Sequence, residues 1–375
     1  MVKQEPFYLE QFADKWENSA DITLAETCSC AVSINELQTL VGAELDISKI
    51  LDKQLGYGWI YGSEELKTQI SKIYETISNK DIVITTGGIG ANFLSFYSLI
   101  EKGDHVIVVD PAYQQLSSLP ELFGAEVSFW KLKEENGWQP DLQELKSLVK
   151  YNTKMIILSS PNNPTGAFIS IDDLNKIIDI AKSNDLYILS DEVYRPLFHS
   201  VPKDEIPKSI VDLYEKGIST GSMSKAFALA GLRLGWIACK NVPFVEDCLN
   251  KRDYNTISVT PINDMIATFA LTHKDILLKR NESLCIKNLQ IVKKFVDESN
   301  GKLKFVPPST GTTCLIKVVG VNDTNQLCLD LIKEYKTLFI PGETFQYPGY
   351  LRVGYGSSTQ DVIEGMTNLL KYLNK

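Results

Sequence analysis

Ile82-Val83-Ile84-Thr85-Thr86-Gly87-Gly88-Ile89-Gly90-Ala91 is the stretch that decides the fold. Three apolar β-branched residues, a glycine turn and then helical spacing over 90–101 are the pattern of a buried strand feeding a helix. Val106-Ile107-Val108-Val109, Met155-Ile156-Ile157-Leu158 and Leu186-Tyr187-Ile188-Leu189 are equally continuous apolar runs, as strands covered on both faces are. Residues 171–183 have helical spacing between two of them, and the helix over 90–101 is expected to end near Gly103 as a cap. This alternation predicts an α/β fold with a mostly parallel sheet. Further along, 262–297 reads as one long helix, and 303–307, 313–319 and 351–354 as strands of a smaller α+β domain. Ile22-Thr23-Leu24 reads as a short first strand. Residues 1–45 are too few to fold alone and are expected to pack on the carboxyl-terminal part.

The 375 residues can bury a large core and are expected to form two domains. The net charge of −9, without a long block of either sign, argues against nucleic acid or an anionic membrane as partner. No apolar run approaches the ~20 residues that span a bilayer, and Met1-Val2-Lys3-Gln4-Glu5-Pro6 lacks an apolar signal segment. A cytoplasmic location is expected. The seven cysteines are odd in number and show no CxxC pair, so neither a disulfide framework nor a zinc site is indicated. The three histidines, His105, His199 and His273, are scattered. Neither a metal site nor a Ser-His-Asp triad is expected.

Ligands of open α/β sheets bind at the carboxyl ends of the strands, and chemically suggestive residues follow each run. The Gly87-Gly88-Ile89 turn can present N–H groups to an anion at a helix amino terminus. Asp110-Pro111-Ala112-Tyr113 offers an aromatic face, and Ser160-Pro161-Asn162-Asn163-Pro164-Thr165-Gly166 two amides. Asp191-Glu192-Val193-Tyr194 adds a carboxylate and a phenol. Gly221-Ser222-Met223-Ser224-Lys225 and Gly231-Leu232-Arg233 supply two hydroxyls, an amine and a guanidinium. Each piece alone suits a turn, a cap, a packed aromatic or an exposed helix. Together they suit pyridoxal phosphate (PLP), whose aldehyde bonds a lysine and whose phosphate anchors the ring. In that reading Asp191 keeps the pyridine nitrogen protonated, Tyr194 and Asn163 hydrogen-bond the ring 3′-oxygen, and Tyr113 stacks on the ring. Gly88, Ile89, Ser222, Ser224 and Arg233 then hold the phosphate.

With these pieces in order, the chain resembles a class I/II aminotransferase of the fold-type I, aspartate aminotransferase-like, PLP enzymes. Tyr57, five residues before Gly62, and Leu351-Arg352-Val353 extend the match toward both ends. The resemblance implies a large PLP-binding domain at 46–280, with a mostly parallel seven-stranded sheet, and a small domain made of 1–45 and 281–375. It implies that Lys225 carries PLP as an internal aldimine and then shuttles the α-proton; the cationic cofactor environment is expected to lower its pKa for this. It also implies that Arg352, with Asn163, grips the substrate α-carboxylate. Tyr57 should reach the phosphate of a neighbouring subunit, which makes the protein a homodimer with shared active sites.

The family's glycine after the first short strand is absent here. Ile22-Thr23-Leu24 is followed instead by Ala25-Glu26-Thr27-Cys28-Ser29-Cys30, with no glycine before Gly42. This segment and Arg252-Asp253-Tyr254 are faintly similar to the capreomycidine-synthase-like branch, which cyclises a hydroxylated arginine. Arg252 itself reads as a surface arginine or as a side-chain-recognition residue. The expected activity is transfer of an amino group between an L-amino acid and a 2-oxo acid. A β-eliminating C–S lyase or such a cyclase would keep the same cofactor residues. A non-catalytic PLP-binding regulatory domain is disfavoured by the absence of a basic DNA-binding segment.

Overall fold

Seven strands form the central sheet of the computed structural model, which describes residues 4–375. In spatial order they are Ile82–Thr85, Gly235–Ala238, Gly217–Ser222, Tyr187–Asp191, Thr153–Ser159, His105–Asp110 and Glu126–Lys131. Gly235–Ala238 runs against both of its neighbours, and the remaining pairs are parallel. Side chains alternate across the sheet. Ile82, Ile84, Ile107, Val109, Ile156 and Leu158 enter one core, whereas Val83, Val106, Val108, Met155 and Ile157 enter another on the opposite face. Both faces are therefore covered, which is why these strands read as continuous apolar runs rather than as alternating ones.

The helix after the first sheet strand spans Gly87–Leu99, so the glycines form its first turn rather than a loop before it. It ends at the extended, buried Ile100, short of Gly103, whose positive φ of 96° belongs to the following turn. Ile171–Ser183 is helical as expected, capped by the Ser170 side chain. The stretch 262–297 is two helices, Pro261–Thr272 and Lys274–Asp297, because His273 leaves the helical region at φ −111° and ψ 23°. Thr260 caps the first of them with proline next in line.

A second sheet of four antiparallel strands has the order Ile340–Pro341, Tyr350–Gly354, Thr313–Val318, Leu303–Phe305. Part of the amino-terminal segment makes contacts here. Ile22–Thr23 pairs in parallel with Thr337–Leu338, and the Gly354 N–H donates to the Leu24 carbonyl at 2.7 Å. Leu9 and Ala25 share a core with Ile332, Leu338, Ile340 and Phe345. No helix among the described residues is long and apolar enough to cross a membrane. Among the same residues, no group of His, Cys, Asp and Glu is arranged to hold a metal ion.

Candidate active site

The carboxyl ends of the parallel strands meet at one edge of the sheet, and a cavity of about 480 Å³ opens there. It is lined by eleven of the twelve residues singled out in the sequence: Gly88, Ile89, Tyr113, Asn163, Asp191, Tyr194, Ser222, Ser224, Lys225 and Arg233 share it with Arg352, while Tyr57 lies outside. Tyr57 is 68% exposed, in a surface stretch where Leu51, Leu55 and Tyr61 are exposed too.

Arg233 reaches this edge because its strand is reversed. Gly235 sits in register with both Thr85 and Ser222, so the residues before it emerge where the parallel strands end. The approach requires glycine. A Cβ on Gly235 would lie 2.3 Å from the Gly87 carbonyl carbon, and one on Gly88 would lie 2.8 Å from Val193. Gly87 has φ of 72°, and a Cβ there would stand 3.0 Å from Arg233 Nη2. The result is a bare-backbone cradle at a helix amino terminus with a guanidinium beside it, an arrangement suited to a phosphate.

Asp191 is buried and accepts from Asn92 Nδ2 at 3.0 Å and from the Val193 N–H at 3.2 Å. Burial raises its pKa, and those two donors oppose the rise. Asn92, which sequence reading missed, is itself fixed by Thr220 Oγ1 at 2.8 Å. Its signal was an amide one turn beyond Gly88 on a largely apolar helix. Tyr194 is buried in the same cavity wall and its hydroxyl makes no well-formed hydrogen bond; burial pushes its pKa up, opposed by Lys225, Arg352 and the nearby Thr27 hydroxyl. Tyr113 donates to Glu10 Oε1 at 2.6 Å and packs against Phe7.

Lys225 Nζ donates to Thr27 Oγ1 at 2.5 Å and lies 3.6 Å from Cys28 Sγ. Burial disfavours its ammonium, yet Cys28, Tyr194 and Glu26 outweigh burial and raise its pKa. These are the protein's own groups alone; the lowering expected for Lys225 belongs to the site with its cationic cofactor bound. Thr27 and Cys28 come from the segment that lacks the glycine. It is held across the site by the Ser29 N–H, which donates to the Lys225 carbonyl at 3.1 Å, and by Thr312 Oγ1, which donates to the Thr27 carbonyl at 2.7 Å.

Arg352 is buried, with Nη1 donating to Asn163 Oδ1 at 3.3 Å and Nη2 to the Ala25 carbonyl at 2.6 Å. Its Nε has no partner. A buried donor left unpaired costs free energy unless a ligand meets it. Arg252 is not at the surface. Its guanidinium is buried among the carbonyls of Ile84, Ile60 and Ile257, which it bonds at 2.5–2.7 Å, so it pins backbone instead of lining the cavity.

The family profile Aminotransferase class I and II matches residues 33–369. The chain belongs to that family. It is 27% identical to capreomycidine synthase of Streptomyces vinaceus over 91% of this chain and 87% of that protein. It is 30% identical to an aspartate aminotransferase of Thermotoga maritima over 83% of this chain and 80% of the relative. The solved structure of a PLP-dependent aminotransferase from Streptococcus suis superposes with a TM-score of 0.95 at 36% identity, covering 99% of this chain and 98% of that one. The family is PLP-dependent. The residues present fit that group: a glycine cradle with Arg233, a buried carboxylate, an unpaired tyrosine hydroxyl and a half-buried lysine line one cavity.

Proposed function

We propose that the protein is a PLP-dependent aminotransferase that moves an amino group between an L-amino acid and a 2-oxo acid. The observation that carries this reading is the convergence of Lys225, Asp191, Arg233 and Arg352 on one cavity. Bound PLP supplies an aldehyde that condenses with amines and a ring that accepts the electron pair left when the Cα–H bond breaks. Arg233, Ser222, Ser224 and the N–H groups of Gly88 and Ile89 would hold its phosphate, and Asp191 its ring nitrogen. Tyr194 and Asn163 would meet the ring oxygen, with Tyr113 against the ring. Arg352 would anchor the α-carboxylate through its unpaired Nε and the Nη1 that now bonds Asn163. Lys225 Nζ would take the α-proton once free as an amine, with Thr27 Oγ1 orienting it.

Lys225→Ala is expected to lose the visible absorbance of lysine-bound cofactor together with turnover. Sustained multiple turnovers by the purified variant would refute the reading.

A second reading, cyclisation on the same site, is favoured by one observation, the similarity to capreomycidine synthase. Presenting a panel of amino acids to the loaded enzyme separates the two readings. Conversion of the cofactor to its amine form marks transamination, whereas turnover without an oxo acid and with the cofactor retained marks cyclisation or elimination.

The proposal extends to a cytoplasmic homodimer, with 46–280 as the large domain and both chain ends as the small one. The exposure of Tyr57 supports its action across a subunit boundary. Mixing inactive Tyr57→Ala and Lys225→Ala proteins should then restore activity, because one site of each hybrid is intact.

A further inference from the structure

Tyr113, set against the cofactor ring in the reading above, is held by a part of the chain to which that reading gives no role. Its hydroxyl donates at 2.6 Å to Glu10 Oε1, which belongs to the first helix, Tyr8–Trp16, 103 positions earlier. Both residues line the cavity. A phenol donating to a carboxylate makes a short, charge-assisted hydrogen bond. The proton stays on the Tyr113 oxygen, because burial and the Glu10 charge both push the phenol pKa above its ordinary value.

The first helix has anchors of its own. Leu9, Phe12 and Trp16 pack with Ile332, Leu338 and Phe345. On the other side, the residues leading into the helix are fastened next to Tyr113. Gln114 Nε2 donates to the Pro6 carbonyl at 2.8 Å and to Glu5 Oε1 at 3.1 Å, and the Tyr8 N–H donates to Gln114 Oε1 at 2.9 Å. Phe7 packs on the Tyr113 ring, with centroids 5.0 Å apart. The Glu10–Tyr113 bond is therefore not needed to keep the helix in place.

The bond has an electronic consequence instead. An aromatic face carries negative charge density and attracts a cation lying over it. A carboxylate that accepts the phenolic proton makes the face richer in electrons. The cofactor ring set against it is cationic, since Asp191 keeps its nitrogen protonated in the same reading. The charged groups facing Tyr113 are Glu10, Arg352 and Asp191. Arg352 and Asp191 are taken by the α-carboxylate and the ring nitrogen, which leaves Glu10 to act on the stack.

We infer that Glu10 is a positioning residue acting through Tyr113: it holds the phenol against the cofactor and makes that face a better seat for the cofactor's positive charge. The inference rests on the PLP reading of the site and adds to it a residue outside the sequence motifs.

Absorbance titration of the PLP-loaded enzyme tests this without any turnover. The visible band of lysine-bound cofactor fades as its linkage to Lys225 loses a proton, and the midpoint of that change is the readout. Glu10→Gln keeps an acceptor for the phenol and removes the charge, whereas Tyr113→Phe keeps the ring and removes the donor. Each should lower the midpoint by ~0.5 pH unit, about a threefold loss of proton affinity. The double variant should lower it no further than the larger single change. Cofactor-free Tm should stay near the parent's in all three. An unmoved midpoint in Glu10→Gln overturns the inference, and so does additivity in the double variant, which would mean that Glu10 acts on the cofactor directly. Loss of folding in Glu10→Gln overturns it as well, since the bond would then serve the helix. Absence of the visible band in the parent enzyme would instead refute the PLP reading beneath it.

Discussion

Arg352 Nη2 donates a 2.6 Å hydrogen bond to the carbonyl of Ala25, a residue 327 positions away in the chain. The group proposed to grip the substrate is thus oriented by backbone from the segment that departs from the family pattern. Replacing Arg352 by lysine keeps the charge and removes the fork. We expect KM for the amino acid to rise roughly 10- to 100-fold, with cofactor absorbance retained; an unchanged KM would contradict the assignment.

Asp191 gives a pH-dependent prediction with a definite sign. Its folded pKa is raised by burial, so without cofactor its contribution to stability is full below the ordinary carboxylate pKa and is lost as pH rises through the folded value. Asp191→Asn should therefore raise the Tm of the cofactor-free protein at neutral pH. The same variant should bind PLP roughly a hundredfold more weakly, because the ring nitrogen loses its anion. Calorimetry with and without cofactor measures both effects, and a lowered cofactor-free Tm would go against the argument.

His199 acts in the opposite sense. Burial pushes its pKa down to about 4, and its ring is bonded to Tyr355 Oη at 2.9 Å and Ser200 Oγ at 2.8 Å. The unfolded chain binds this proton more readily, so stability falls as pH drops from about 6.5 toward about 4. His199→Gln should flatten that acid limb. A limb equally steep in variant and parent would assign it to other groups.

Gly235→Ala should be severe, because the new methyl would collide with the Gly87 carbonyl carbon at 2.3 Å. Backbone rather than a flexible side chain must yield, which costs on the order of 2–4 kcal/mol and spoils the cradle. Soluble protein with much weakened PLP binding is the expected result; parent-like affinity and Tm would show that the cradle is not needed.

Much of the fold was legible because the strands at the middle of the sheet are apolar on both faces. Gly217–Ser222 escaped notice: Gly-Ile-Ser-Thr-Gly-Ser has one apolar side chain, and its place in the sheet is set by neighbours on each side. Glu126–Lys131 is an edge strand with much of its length exposed, so it lacks the apolar run. The break at His273 carries neither glycine nor proline to mark it. In the site, residues at strand ends were recognisable from their positions after apolar runs. Asn92, Thr27 and Glu10 were not, because they reach the cavity from a helix interior and from a segment whose location depends on pairing with the far end of the chain.

That pairing imposes an order on biosynthesis. Ile22–Thr23 is synthesised long before its parallel partner Thr337–Leu338. The first helix and the Thr27-Cys28 wall consequently lack their Leu338, Phe345 and Thr312 contacts while the central sheet is assembling. A nascent chain can complete the cofactor cradle from residues 82–238, yet its substrate pocket closes only after Thr337–Leu338 and Arg352 have been made.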